Sequence, residues 1–436
     1  MKPQPLSTEA ALLIPPALDD RKIWLRVGTL LDGTSRKPLK DAQVVYDRAA
    51  ILYVGGADAP PPANLLNAGQ SRPDVELPEW TLLPGLIEAH AHFFLEGGEL
   101  DSEKRMSYLK QSPERLLELA KTRLEKIVRL GIAGVRDAGD KDGVGLALSK
   151  LYESGSRPLM PYVDSPGAAI HRKGRYGSFM GEPLENYNTL DDCVKARVRD
   201  GADRIKLIPT GIINFQKGQV TSEPQLTTAE VAELVRSAKK LGKQTFAHAS
   251  GDKGIEHAIE GGVDSIEHGF FVRHDQLARM RDRQIAWVPT FAPVQAQIDH
   301  AAKMGWDQSI VSNLQRILDQ HASSLLKAAE MGVQIIAGSD AGSYGVPHAL
   351  GFLYELELME RAGLPPLQVI NSATGVTSNR LGFKEKLGQI QPSFRSRFIL
   401  TRHSPLERIS NLRKSRHVIF DGAVYNTAEN GDVAGL

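Results

Sequence analysis

From about residue 81 to about residue 384, apolar runs with strand character alternate with longer amphipathic runs of helical period. This alternation constrains the fold more than any other feature. The strand-like runs begin near Thr81, Gly131, Leu159, Arg204, Gln244, Asp264, Ile285 and Val333. Between them lie helix-like segments such as PERLLELAKTRLEKIVRLG, TTAEVAELVRSAKKLGK and NLQRILDQHASSLLKAAEMG. Thr227 and Glu230 stand at capping-box spacing just ahead of an apolar repeat, which marks a helix start. Eight strand–helix units in about 280 residues predict an α/β chain built as a (β/α)8 TIM barrel. A doubly wound open sheet is the competing arrangement, but no Gly-rich dinucleotide fingerprint follows an early strand.

The flanks differ. Residues 23–55 contain IWLRVGTLLDG, AQVVYD and AAILYVGG, which read as short strands, with Asp32-Gly33 marking a turn. Near residues 386–424, KLGQI, RFILT and HVIFDG return to that pattern. The expectation is a small β-sandwich domain formed from both chain ends, residues 1–80 and 385–436, flanking a barrel over residues 81–384. The length of 436 residues suits a large barrel with an appendage, and a 41% hydrophobic fraction supplies its core.

Charge and cysteine content exclude several classes. With 53 Lys+Arg against 52 Asp+Glu the net charge is +1, without the basic excess that phosphate backbones require. The one cysteine, Cys193 in the helix-like DDCVKARV, excludes an internal disulfide framework or a Cys-based zinc cage. No apolar run approaches the roughly eighteen residues of a membrane span. The segment MKPQPLSTEAALLIPPALDD is a poor secretory signal, because Pro15 and Pro16 break its apolar stretch and Asp19 and Asp20 follow. These features predict a cytoplasmic protein whose partner is a small-molecule substrate, not nucleic acid and not a membrane.

Chemistry-bearing residues fall at the C-terminal ends of the predicted barrel strands, where barrel active sites are built. The first strand ends in His90-Ala91-His92, and residues two apart in a strand project to the same side. The fourth carries Lys206 between apolar neighbours, the fifth Phe246-Ala247-His248, the sixth Ser265-Ile266-Glu267-His268-Gly269, and the eighth Gly338-Ser339-Asp340-Ala341-Gly342.

With those residues in order, the chain resembles the amidohydrolase superfamily of metal-dependent hydrolases on (β/α)8 barrels. PGLIEAHAH is similar to the first-strand signature, with Glu88 where Asp is commoner. GIAGVRDAG, GADRIKLIPTG, FAHASGDKGIEHAIEGGVDSIEHG and GSDAG resemble the branch containing prolidase-like and Xaa-Arg/Xaa-Lys dipeptidases, alongside imidazolonepropionase relatives. The resemblance covers roughly residues 23–424. It implies a two-metal site: His90, His92 and Asp340 on the more buried ion, His248 and His268 on the second, and Lys206 carboxylated on its amine (N6-carboxylysine) to bridge them. Imidazole and carboxylate-like donors suit zinc best, with manganese or cobalt as alternatives. A hydroxide bridging the two metals would be the nucleophile, and Asp340 would carry its proton to the departing amine.

The implied function is cleavage of an amide-type C–N bond in a small molecule, a dipeptide or an N-acyl amino acid. A mononuclear deaminase or cyclic-amide hydrolase would need no bridging lysine, and a lactonase- or phosphotriesterase-like enzyme would use the same metal pair. A barrel that merely binds a ligand is poorly motivated, since no ligand position is missing. Relatives often assemble, so a homo-oligomer is compatible with the sequence.

Other polar residues carry weaker expectations. In the loop AAIHRKGRYGSFMG, His171 is the best match to a family histidine, and Arg172, Lys173, Arg175 and Tyr176 form a basic set. That set reads either as a clamp for a substrate carboxylate, to which Arg is well shaped, or as ordinary surface charge. Arg136 is expected to pair with Asp137 or another carboxylate. His348 lies in a loop that could approach the pocket. His257, His274, His300 and His321 are expected in solvated helical segments, and His403 and His417 in the terminal β region. Two departures stand out: Arg395-Ser396-Arg397-Phe398 replaces an Ala-Asp pair usual in the family, and Ser343-Tyr344-Gly345 resembles an insertion.

Overall fold

In IWLRVGTL, Ile23, Leu25 and Val27 alternate toward one buried face. The computed structural model, which describes residues 14–34, 37–154, 160–414 and 416–427, makes this run the first strand, β1 (Ile23–Leu30). It is followed by β2 (Leu39–Tyr46), β3 (Ile51–Gly55) and β4 (Val75–Pro84). Next come β5 (Leu86–Ala91), β6 (Ile132–Asp137), β7 (Tyr162–Asp164), β8 (Ile205–Leu207), the two-residue β9 (Ile213–Asn214) and β10 (Gln219–Val220), β11 (Thr245–Ala249), β12 (Ser265–His268) and β13 (Ala286–Val288). The last strands are β14 (Arg397–Thr401), β15 (Arg416–Phe420) and β16 (Ala423–Thr427).

Both chain ends build one seven-stranded sheet in the order β16-β15-β14-β4-β1-β2-β3. Thr81–Pro84, expected to open the first barrel strand, pair with β14 in this sheet, and the next strand starts at Leu86. The terminal strands are hydrogen-bonded into one sheet where a sandwich of two was expected, but that sheet folds over. Tyr46 of β2 meets Phe398 of β14 edge to face at 5.0 Å. Three strand spacings would separate them by about 14 Å in a flat sheet. KLGQI forms no strand: Gly388 takes φ 75° and packs against Thr374 and Ile87 where a side chain would stand.

The middle of the chain is parallel and buried. β5, β6 and β7 form one parallel sheet, and β8, β11, β12 and β13 another in sequential order. Isolated parallel bridges join Ile170 to Leu207, Trp287 to Ile335 and Ala91 to Ala341. The run expected as a strand near Val333 forms such isolated bridges and no continuous ladder. The expected start near Leu159 lies outside the described residues.

The helices match their sequence signals. Pro113–Arg129, Thr228–Lys240 and Gln308–Met331 are helical, and Thr227 and Glu230 close the expected capping box. Cys193 is buried in Leu190–Asp200. None of the helices among the described residues is long and apolar enough to cross a membrane.

Two histidines expected in solvent are buried. His321 falls on the same helical face as Leu314, Ile317, Leu318 and Leu325, stacks on Phe270 at 4.2 Å, and lies 2.9 Å from the Pro289 carbonyl. Burial pushes its pKa down to about 4. His417 stacks on Trp80 at 4.8 Å. His257 is half-buried against the Leu226 carbonyl, and His274 opens its helix in an exposed position.

The departure at Arg395-Ser396-Arg397 has a structural explanation. The buried Arg397 grips Asp421 with two hydrogen bonds of 2.9 and 2.6 Å and donates to the Ala133 carbonyl of β6 at 3.0 Å. Arg395 adds a 3.0 Å ion pair to Asp421. The terminal sheet is thereby tied to the parallel strands. Burial pushes the Asp421 carboxyl upward, but the two guanidinium groups outweigh it and hold the group below its ordinary value. Asp421→Ala strands the Arg397 charge and is expected to cost about 3 kcal/mol. The loss should appear as a lower urea midpoint at unchanged slope. Because the folded pKa is depressed, the pair stabilises fully above about pH 4 and its contribution fades as pH falls further, so the difference between variant and wild type should shrink in acid.

Candidate metal centre

The ends of β5, β8, β11 and β12, and the run 335–341, converge on one buried cluster. His90 and His92 come from β5 and the residue just after it, Lys206 from β8, His248 from β11 and His268 from β12, while Asp340 follows Ser339. The structure therefore brings all six residues singled out in the sequence together. Ring centroids lie 5.6 Å apart for His90 and His92, 5.1 Å for His90 and His268, and 4.6 Å for His248 and His268. One donor atom each from His90, His268 and Asp340 fits within 4.8 Å.

Backbone conformation aims two of these side chains. His268 has φ 67° and Asp340 φ 56°, conformations that cost roughly 1–3 kcal/mol outside glycine. The surroundings hold them: the Trp287 indole donates to the His268 carbonyl at 2.9 Å, and the Asp340 amide to the His90 carbonyl at 2.7 Å.

Each imidazole has one nitrogen engaged by the protein, and where that partner is a carboxylate or carbonyl the other nitrogen is left as a bare electron pair. His90 Nδ1 lies 2.6 Å from Glu267, which also accepts from Arg136 at 2.7 Å and Ser265 at 2.6 Å. A carboxylate taking three donors requires the proton on Nδ1, so His90 Nε2 is the bare atom, and it is buried without a hydrogen-bond partner. His92 Nδ1 donates to the Gly139 carbonyl at 2.9 Å, and His248 Nε2 faces the Gly211 carbonyl at 3.3 Å. His268 Nδ1 bonds the Thr290 hydroxyl at 2.7 Å. Burial, reinforced by the Lys206 charge, pushes His92 and His248 down to about 3, and burial leads in lowering His90 and His268 as well. All four rings are neutral at pH 7.

Asp340 Oδ1 lies 3.5 Å from His90 Nε2 and 3.6 Å from His92 Nε2. An oxygen and two nitrogens then face one another, and once the carboxyl is ionised each offers an electron pair. That donor set fits a divalent cation of borderline character. Burial pushes the Asp340 carboxyl up to about 7, against the donated hydrogen bond from Ser343 and the charge of Lys206. Burial likewise lowers Lys206, 1% exposed, to about 8, although Glu267 and Asp340 oppose the shift. Its ammonium lies 4.7 Å from the centre of the Phe246 ring, which the Arg136 guanidinium also approaches at 4.4 Å.

Two carboxylates given no role in the sequence reading, Glu267 and Glu88, brace the cluster, and Arg136 finds its expected carboxylate partner in the first. Glu88 accepts from the Ser339 amide and hydroxyl at 2.9 and 2.7 Å and from the His90 amide at 3.1 Å. Glu267 precedes His268 in SIEHG, and its acidic character inside an apolar strand was the available signal. His348 donates to the His92 carbonyl at 3.1 Å, supporting a cluster residue from outside the cavity.

In the loop after β7 the side chains separate. His171 has both ring nitrogens on loop carbonyls, Arg172 at 3.0 Å and Gly181 at 2.9 Å, so the ring braces the loop and does not face the cavity. Arg172 pairs with Glu230 and Glu185. Arg175 is exposed, donates to the Glu223 carbonyl, and lines a cavity of about 410 Å³ with Asn214, Ser222 and Gln225. Tyr176 alone of this set reaches the cluster, with its ring 5.0 Å from that of His248. A cavity of about 200 Å³ opens beside His248, His268 and Asp340, walled by Ile213, Phe215, Phe270, Pro293 and Val294.

Comparison with known proteins places this centre in a family. The Amidohydrolase family profile matches residues 81–425. Ochratoxinase from Aspergillus niger is 25% identical over 452 aligned positions, covering 96% of this chain and 89% of that protein. The solved structure of a Xaa-Pro dipeptidase with methionine bound in the active site has a TM-score of 0.75 at 27% identity, over 93% of this chain and 100% of that one. A prolidase complexed with N-methylphosphonate-L-proline shares the fold, with a TM-score of 0.74 at 22% identity over 93% of this chain and 99% of that one. The chain belongs to the amidohydrolase family, in its prolidase-like branch, and is a hydrolase acting on carbon–nitrogen bonds.

Proposed function

We propose that this chain is a binuclear metal-dependent hydrolase that cleaves the amide bond of a dipeptide or N-acyl amino acid, on a (β/α)8 barrel closed through the run 335–341. The observation that carries this reading is the convergence of bare donor atoms, with Asp340 Oδ1 3.5 and 3.6 Å from two unprotonated imidazole nitrogens. The bridges of that run to both Trp287 and Ala91 support closure. His90, His92 and Asp340 would hold one ion, His248 and His268 the other, and Lys206 would bridge as a carbamate. The lowered Lys206 pKa favours the neutral amine that adds to carbon dioxide and loses a proton. Two such ions, most simply zinc, would supply Lewis acidity at a carbonyl oxygen and lower the pKa of water from 15.7 to about 7.

The chain's own residues do the rest. Asp340, held by the Ser343 hydroxyl at 2.8 Å and raised to about 7, accepts a proton from the attacking water and returns it to the leaving amine. The apolar cavity excludes water and accommodates a hydrophobic side chain; Asp340 is the one acidic residue lining it, so a cationic side chain finds no separate partner there. The Xaa-Pro dipeptidase and prolidase structures, with methionine and a proline phosphonate bound, support an amino-acid substrate. The buried Cys193 thiol, raised by burial to about 11, suits the cytoplasm.

Three measurements check this reading. Zinc-loaded protein screened against dipeptides, N-acyl amino acids, cyclic amides, lactones and phosphotriesters should cleave the first two, preferring apolar side chains; cleavage confined to lactones or phosphotriesters would contradict it. Lys206→Ala should lower kcat/KM by at least about 100-fold, several kcal/mol of charge stabilisation, and short carboxylic acids should restore part of it. Full activity without them would favour the mononuclear alternative. Glu267→Gln should weaken metal binding roughly 10–100-fold in competition with a chromophoric chelator, because His90 loses the carboxylate that fixes its tautomer.

A further inference from the structure

Tyr176 sits on the loop after β7, yet its ring tilts at 40° against His248, with centroids 5.0 Å apart. On its other side Phe179 meets it edge-on at 5.7 Å. The backbone beneath is fixed from both directions. Gln225 donates to the Tyr176 carbonyl at 3.0 Å, and the Met180 amide donates to the Gly177 carbonyl at 2.8 Å. Gly177 takes φ 111°, with Ile208 and His171 standing where a side chain would be, so the residue after Tyr176 has to be glycine. The His171 brace secures the same loop.

Tyr176 also lines both cavities, the apolar one at the cluster and the mixed one carrying Arg175. A substrate amide spanning the two would pass its ring. Two other hydroxyls at the cavity are committed elsewhere: Ser343 donates to Asp340, and Tyr344 to the Leu100 carbonyl at 2.7 Å. The half-buried Tyr176 makes no hydroxyl hydrogen bond to any of the described residues, and its side chain lines the cavities open on either side of it. A rigidly placed donor facing a reaction cavity, with no protein acceptor, matches a group whose acceptor arrives with the substrate.

We propose that Tyr176 is a catalytic residue whose phenolic hydrogen bonds the scissile carbonyl oxygen. As water adds to the carbonyl carbon, the C=O π pair moves onto oxygen and the hydrogen bond strengthens. The proton stays on the phenol throughout, and the oxygen pair returns when the C–N bond breaks. This assignment rests on the amide-hydrolase reading.

The test compares wild type with Tyr176→Phe, which removes one oxygen, using metal-loaded protein and an amide that wild type cleaves. The expected result is a kcat about 100-fold lower with KM within about twofold and the same metal content per chain. Calorimetry should show an N-methylphosphonyl amino acid, which presents a tetrahedral oxyanion, binding the variant more weakly by a similar factor, with the product amino acid unaffected. An unchanged kcat, or a raised KM at unchanged kcat, overturns the assignment alone. Wild type inert toward every amide overturns the amide reading, and the assignment with it.

Discussion

The carboxylate of Glu267, with no solvent exposure, accepts three hydrogen bonds at once, from His90, Arg136 and Ser265. Much of the centre depends on it. It compensates the buried Arg136 guanidinium, which also donates to the Ala89 carbonyl at 2.6 Å and so ties β5 to β6 from within. It also fixes the proton of His90 on Nδ1 and leaves Nε2 bare. A fully satisfied buried ionic network positions its members more than it stabilises the fold, because desolvation offsets most of the Coulombic gain. The return on that arrangement is the orientation of an electron pair.

The same logic extends around the cluster. Four neutral imidazoles, a carboxyl raised toward neutrality and a lysine with a lowered pKa crowd together at the buried floor of a cavity. Packed this way, the donors repel one another, and the positive φ of His268 and Asp340 adds backbone cost. Cations among them would turn those repulsions into bonds. The rest of the molecule provides the rigidity: parallel strands aim the side chains, Glu88 links β5 to Ser339, and the Arg397–Asp421 pair locks the terminal sheet onto β6.

Much of this was legible in the sequence because polar residues at strand ends are few and embedded in apolar runs. His90, His92, Lys206, His248, His268 and Asp340 stood out for that reason, and each reaches the cluster. The partners of those residues were less legible. Glu267 and Arg136 are far apart in sequence, and only the alignment of β12 with β6 brings them together. His321 was misread although its helix carried the correction, since Leu314, Ile317, Leu318 and Leu325 share its face. In the loop after β7, residue type favoured His171, whereas backbone geometry selects Tyr176. A loop with a glycine at φ 111° cannot be oriented from composition alone.

In the proposed centre, six side chains hold two cations. Elemental analysis of protein produced with bicarbonate and zinc, alongside a hydrolysis assay on the same sample, tests it most directly. Two divalent ions per chain are expected, with activity rising as the second site fills. Full activity at one ion per chain, or with none, would contradict it.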